Sequence, residues 1–113
     1  MQESDTNWDE WELCIRIAGN TAKHCIFAIW QKGYSVRHYY PLREDGEYQT
    51  EFDAKKDGRL FSATSPEELL GLIALWETRG DSWRDSTEAE QKQHSILEDA
   101  APTYNIHGEI VAD

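Results

Sequence analysis

Cysteine, proline and methionine are scarce in this 113-residue chain, at two, three and one respectively. Two cysteines cannot build the dense disulfide framework of a small secreted domain. Bases are also few, 11 against 22 acids, giving a net charge of -11. That deficit argues against direct binding to nucleic acid or to an anionic membrane, where Lys and Arg carry the contact. No apolar run approaches the ~20 residues that span a bilayer. The acidic N-terminus has no apolar h-region, so no secretory signal is expected and the cysteines are expected to be reduced in a cytoplasm. The sequence has no CxxC, HxxxH or HExxH spacing, no GxSxG, no P-loop and no GxGxxG. No metal, cofactor or catalytic residue is therefore assigned, and the expectation is a protein that is not an enzyme.

Hydrophobic residues make up 39% of the chain and charged residues 29%, the balance of a globular protein. Its length suits a single domain over residues 1–113, with mobile ends at 1–10 and 101–113. The acid excess is uneven. Residues 1–12 hold five acids and no base, residues 13–76 eight of each, and residues 77–113 nine acids and three bases. Both ends are thus acidic around a neutral middle, a layout that steers an opposite-sign partner or simply keeps the protein soluble.

The patterning predicts an α+β fold, an antiparallel β-meander of about five strands packed on a C-terminal α-helix, with a second marginal helix. Trp11, Leu13, Ile15 and Ile17 alternate with Glu12, Cys14, Arg16 and Ala18, the period of a half-buried strand. CIFAIW (25–30) is apolar on both faces and predicts a covered central strand. Lys32-Gly33 fits a hairpin loop, setting Ile29 opposite Val36, Phe27 opposite His38 and Cys25 opposite Tyr40 in a third strand, Tyr34–Tyr40. EYQTEFD and RLFSA supply the last two strands around KKDG, with Lys55 and Lys56 blunting an exposed edge. Then the period changes. Ser65-Pro66-Glu67-Glu68 is a capping box with proline at N1, followed by LLGLIALW and a stop at Gly80. Leu69, Leu72, Ile73 and Trp76 form its apolar stripe. Thr87 with Glu90 caps the second helix, and TYNIHGEIVAD predicts a short hairpin about His107-Gly108 or a mobile tail. No internal repeat is apparent.

The cysteines depend on register. A two-residue Gly19-Asn20 loop sets Cys14 opposite Cys25, within disulfide reach, whereas a three-residue loop pairs Leu13 with Phe27 and leaves two packed free thiols. The buried face favours the second. His38 reads as a core histidine.

Thirteen residues are aromatic and five of them are Trp. Trp11, Trp30 and Trp76 have places in the predicted core. Trp8 and Trp83 do not, and each is either an interface anchor or a cover for a core edge. Trp8, with Asp5, Asp9, Glu10 and Glu12 around it, suits a basic partner.

A small acidic α+β chain with a β-meander leading into RLFSATSPEELLGLIALWETRGDSW resembles, over about residues 11–84, the immunity proteins of bacterial polymorphic-toxin systems, including those of contact-dependent growth inhibition. The resemblance implies a cytoplasmic, non-catalytic inhibitor that binds a cognate toxin domain, commonly a basic nuclease, and blocks its active site or substrate path. It carries no residues over. From the sequence itself the expected contacts are Trp8, Asp9, Glu10, Asp81, Trp83 and Asp85, with Glu44, Asp45 and Glu47 as a second group, and no cofactor. Charge reversal of Asp81 and Asp85 is expected to slow association. Two alternatives remain: a phage-type inhibitor or nucleic-acid mimic acting on a host enzyme, and a small-molecule binder or enzyme using a sheet–helix cavity.

Overall fold

The computed structural model describes residues 6–111. The chain is α+β, with helix α1 (Thr21–Gln31), strands β1 (Ser35–Tyr39), β2 (Glu51–Lys56) and β3 (Arg59–Ala63), and helices α2 (Pro66–Arg79) and α3 (Glu88–Asp99). The strands form one antiparallel sheet in the order β1-β2-β3. The chain divides into two compact units, Met1–Ala74 and Leu75–Asp113.

The sheet has three strands where the sequence predicts five. CIFAIW, read as a central strand, lies inside α1. In helical spacing Ala22, Cys25, Ile26 and Ile29 turn inward, while Lys23, His24, Phe27 and Trp30 stay outside. A short apolar run does not distinguish a buried strand from a helix by its period. Lys32-Gly33 is no hairpin loop. Gly33, at φ 92°, ends the helix, with its amide on the Trp30 carbonyl at 2.9 Å and the Tyr34 amide on Ile29 at 3.3 Å, a Schellman motif. The pairing of Cys25, Phe27 and Ile29 with β1 is therefore replaced, and so is any pairing of Cys14 with Cys25. Cys25 is buried, but Cys14 is exposed rather than packed.

Residues 11–18, the expected first strand, belong to no helix or strand. Trp11, Leu13, Ile15 and Ile17 are 65% to 85% exposed, not half-buried. The alternation expresses a preference for a pleated surface, and among the described residues no strand pairs with it.

β1 pairs with β2 in the register His38↔Phe52, and β2 with β3 in the register Ala54↔Phe61. The Asp57-Gly58 turn, with φ 50° and 77°, is a type I′ hairpin. Lys55 and Lys56, expected in a turn at an edge, instead end the central strand. Lys56 donates from Nζ to the Lys32 carbonyl at 2.6 Å, tying β2 to the end of α1. His38 is exposed, stacked on Phe52 with ring centroids 4.0 Å apart.

The buried side chains of unit 1 are Cys25, Ile29, Tyr34, Ala54, Phe61, Pro66, Leu69 and Ile73, together with Asp53. Tyr34 meets Phe61 edge to face at 5.8 Å. α1 lies against β1. α2 begins where its cap sits: the Ser65 hydroxyl accepts from the Glu68 amide at 3.2 Å, and the Glu68 carboxylate accepts from the Thr64 and Ser65 hydroxyls at 2.8 and 3.0 Å. Trp30, assigned to the core from the sequence, is half exposed and stacks on Phe27 at 6.1 Å.

Two short hairpins share one backbone pattern, a repeat that the sequence hides. In the first, Leu42 bridges Tyr48, and the Gly46 amide meets the Arg43 carbonyl at 3.0 Å. In the second, Tyr104 bridges Ile110, and the Gly108 amide meets the Asn105 carbonyl at 3.0 Å. Both are type I turns followed by a glycine in the left-handed region, at φ 86° and 77°. Gly-Glu, at 46–47 and at 108–109, is the one residue run they have in common.

Ile29→Ala is expected to cost about 2–5 kcal/mol in urea unfolding followed by circular dichroism, because it empties the centre of unit 1. Trp30→Ala, despite its larger volume, is expected to cost only about 1 kcal/mol.

Candidate functional site

The N-terminal candidates are built on a turn. The Asn7 side chain accepts from the Asp9 amide at 3.0 Å, and the Glu10 amide reaches the Asn7 carbonyl at 3.4 Å. This Asx turn sets Trp8 at its tip, 75% exposed, with Asp9, Glu10 and Glu12 also exposed. A concavity of about 420 Å³ lies beside it, lined by Trp8, Glu10, Trp11 and Leu13. Trp8, Asp9 and Glu10 thus come together as one acidic, aromatic surface. Asp5, assigned to the same surface from the sequence, lies outside the described residues.

In unit 2 the loop 80–86 is organised by Arg79. Its Nε donates to the Trp83 carbonyl at 3.1 Å, its Nη2 to the Asp85 carbonyl, and its Nη1 to Glu90 at 3.0 Å. Glu90 also closes the predicted capping box: it accepts from the Thr87 amide at 2.9 Å, while its own amide donates to the Thr87 hydroxyl at 3.1 Å. These contacts, the Arg79 bond foremost, bring the Glu90 carboxyl down to about 2. Asp81 accepts from the Trp76 indole at 2.6 Å. Trp83 is half-buried, with the Arg84 guanidinium 4.7 Å over its ring. A groove of about 660 Å³ runs between this loop and α3, with Arg79, Arg84, Glu90 and His94 on its walls. The candidates Asp81, Trp83 and Asp85 therefore stand beside two arginines, and each of the first two has a local structural partner. Among the first group, the Trp8 turn alone joins an exposed indole to acids that no base opposes among the described residues.

The second group, Glu44, Asp45 and Glu47, occupies the first hairpin. Asp45 accepts from the Glu47 amide at 3.0 Å and pairs with Arg43 at 3.3 Å, so it serves its own turn.

One cluster escaped the sequence reading. Asp53, only 3% exposed, sits at the centre of the middle strand. Its Oδ2 accepts from Arg37 Nε at 2.8 Å and Nη2 at 2.7 Å, and its Oδ1 from the Ser62 hydroxyl at 2.6 Å. Burial alone drives the carboxyl upward, but the bonds from Ser62 and Arg37 outweigh it and hold Asp53 below the ordinary carboxylate value. The cluster binds β1, β2 and β3 across one face. A charged residue between Phe52 and Ala54 was the signal in the sequence, and reading it required the strand register.

Among the described residues, no group of three or more His, Cys, Asp or Glu is placed to hold a metal ion. No helix among them is long and apolar enough to cross a membrane.

Two titrations follow. A carboxylate whose folded value is depressed stabilises the protein above its unfolded value and loses that contribution as pH falls through the folded one. Asp53→Asn is thus expected to cost about 1–3 kcal/mol at pH 7, and the difference from the unaltered protein is expected to shrink as pH drops below about 4, measured by urea unfolding across pH. The Glu90 carboxyl, followed by carbon NMR, is expected to titrate near 2 and to return toward its ordinary range, about 4.3, in Arg79→Ala.

Comparisons with protein-family models, with curated protein sequences and with solved structures found no match to this chain.

Proposed function

We propose that this chain is a non-catalytic binding protein, an immunity-type antidote that docks on a basic toxin domain, most simply a nuclease, and blocks its active site or substrate path. The observation that carries this reading is the Trp8 turn: a tryptophan 75% exposed at the tip, with Asp9, Glu10 and Glu12 around it. Buried on a partner, the indole slows dissociation, while the carboxylates speed the encounter. The net charge of -11 acts in the same direction at longer range. Asp85, together with Glu44 and Glu47 of the first hairpin, adds to that field. Asp81 is a poorer contact than the sequence implies, because its carboxylate already holds the Trp76 indole.

Affinity capture from a native lysate, eluted with a salt gradient and read by mass spectrometry, tests this function. A single basic protein in stoichiometric amount is the expected result, and several host nucleic-acid enzymes would favour the mimic instead. With that partner in hand, the double variant Asp9→Lys, Glu10→Lys is expected to lower the association rate about tenfold and flatten its salt dependence. Trp8→Ala is expected to raise the dissociation rate with the association rate nearly unchanged. An association rate insensitive to both acids removes the Trp8 turn from the contact.

A further inference from the structure

The segment Trp11–Ile17 has the alternation of a strand, yet among the described residues none gives its backbone a hydrogen bond. It leaves α1 through a turn closed twice, by the Thr21 amide on the Ala18 carbonyl at 3.1 Å and the Ala18 amide on the Thr21 hydroxyl at 2.7 Å. Beyond that turn its four large apolar side chains are 65% to 85% exposed. Strand-forming residues in this state lack a partner strand, and their own sequence specifies one.

We propose that two copies of this chain join through Trp11–Ile17, paired antiparallel across a two-fold axis at Cys14. In that register Trp11 faces Ile17, Leu13 faces Ile15, Glu12 faces Arg16, and Cys14 faces its own copy. All seven residues find a partner. Every apolar side chain meets an apolar one on one face, and each charge meets its opposite on the other. A shift of one residue brings the two faces into conflict, and a shift of two sets Ile17 opposite Asp9 or Trp11 opposite Gly19, so the register is fixed. A closed two-fold contact of this kind uses the same patch on both copies and adds no third. An isolated two-stranded ribbon is marginal in water, and its apolar face needs a floor. α1 follows directly after the Gly19-Asn20 turn and presents Phe27 and Trp30, both exposed and stacked on each other at 6.1 Å. The inference is independent of the antidote reading, since the partner here is the chain itself.

The Glu12–Arg16 pairing makes the test specific. Sedimentation equilibrium between about 1 and about 200 μM is expected to show a dimer. Glu12→Arg alone, or Arg16→Glu alone, sets like charges opposite each other twice and is expected to weaken it about tenfold. The double variant Glu12→Arg, Arg16→Glu restores attraction with the charges exchanged, and its affinity is expected to recover to within about threefold of the original. The helical circular dichroism signal should stay constant, because the segment belongs to no helix of the single chain. A second readout uses Cys14. Facing residues of antiparallel strands have Cα atoms ~4.5–5.5 Å apart, within disulfide range. Diamide is therefore expected to link the two copies rapidly through exposed Cys14, and not in Cys14→Ser, since Cys25 is buried. A monomer over the whole concentration range overturns the proposal. So does a dimer indifferent to the single reversals, or a double variant no better than either single one, or linking no faster than in urea.

Discussion

The carboxylate of Asp53 holds three strands together from the sheet face opposite Ala54 and Phe61. Few arrangements put so much on one side chain. The register sets Arg37, Asp53 and Ser62 in a row across the sheet, and both carboxylate oxygens are engaged by donors from the flanking strands. A charge buried without partners costs several kcal/mol, so the cluster works as a unit or not at all. Arg37 remains largely exposed and also lies 4.7 Å over the Tyr39 ring. The attraction is thus screened on one side, and its main effect is to fix register: a slip of one residue would carry Asp53 to the apolar face. Core packing from Ile29, Leu69 and Ile73 supplies the hydrophobic drive, while Asp53 selects which sheet that drive produces.

Unit 2 is organised differently. α3 has no buried side chain, so packing does not explain where it starts. Arg79 does: one guanidinium engages two loop carbonyls and the carboxylate that caps α3. The loop and the helix N-terminus are then fixed by the same group. An ion pair at a surface is ordinarily weak, but one that also satisfies backbone carbonyls and closes a capping box restrains several residues for a single side chain's ordering.

How much of this was legible follows from how local each signal is. The caps at Ser65 and Thr87 lie within four residues of what they bind, and α2 and α3 begin beside them. RLFSA and the stretch before Pro41 also become strands. α1 is hidden in the sequence because CIFAIW is apolar all along and because a glycine after a lysine ends a helix as readily as it turns a hairpin. With CIFAIW helical, two of the expected strands are absent from the sheet, His38 lies outside the core and Cys14 is exposed rather than packed, while Cys25 stays buried. The acids around Trp8 are legible because they are its neighbours in the chain, whereas the Asx turn that exposes the indole is not. The Asp53 cluster was not, because its partners lie 16 and 9 positions away and meet only through the register. Trp83 and Asp81 looked free in a polar loop, and their partners, Arg79, Arg84 and Trp76, depend on how that loop folds.

A chain of net charge -11 has reason to repel its own copy, and the way its acids are distributed decides where it can meet one. Residues 11–17 contain one acid and one base, so the segment is neutral, while five acids crowd residues 1–12. Parallel pairing would bring both acidic ends together within a Debye length of ~8–10 Å. Antiparallel pairing sends them to opposite ends of the ribbon, separated by about 20 Å of strand at ~3.4 Å per residue. Screening then removes most of the repulsion, and the Glu12–Arg16 contacts act at short range where it cannot. The same geometry leaves a Trp8 turn at each end of the ribbon, with Asp9 and Glu10 outside the pairing. Self-association through the neutral alternating segment and recognition of a basic partner through the acidic turn are thus compatible, because Asp9 and Glu10 lie outside the pairing segment and Glu12 alone is shared.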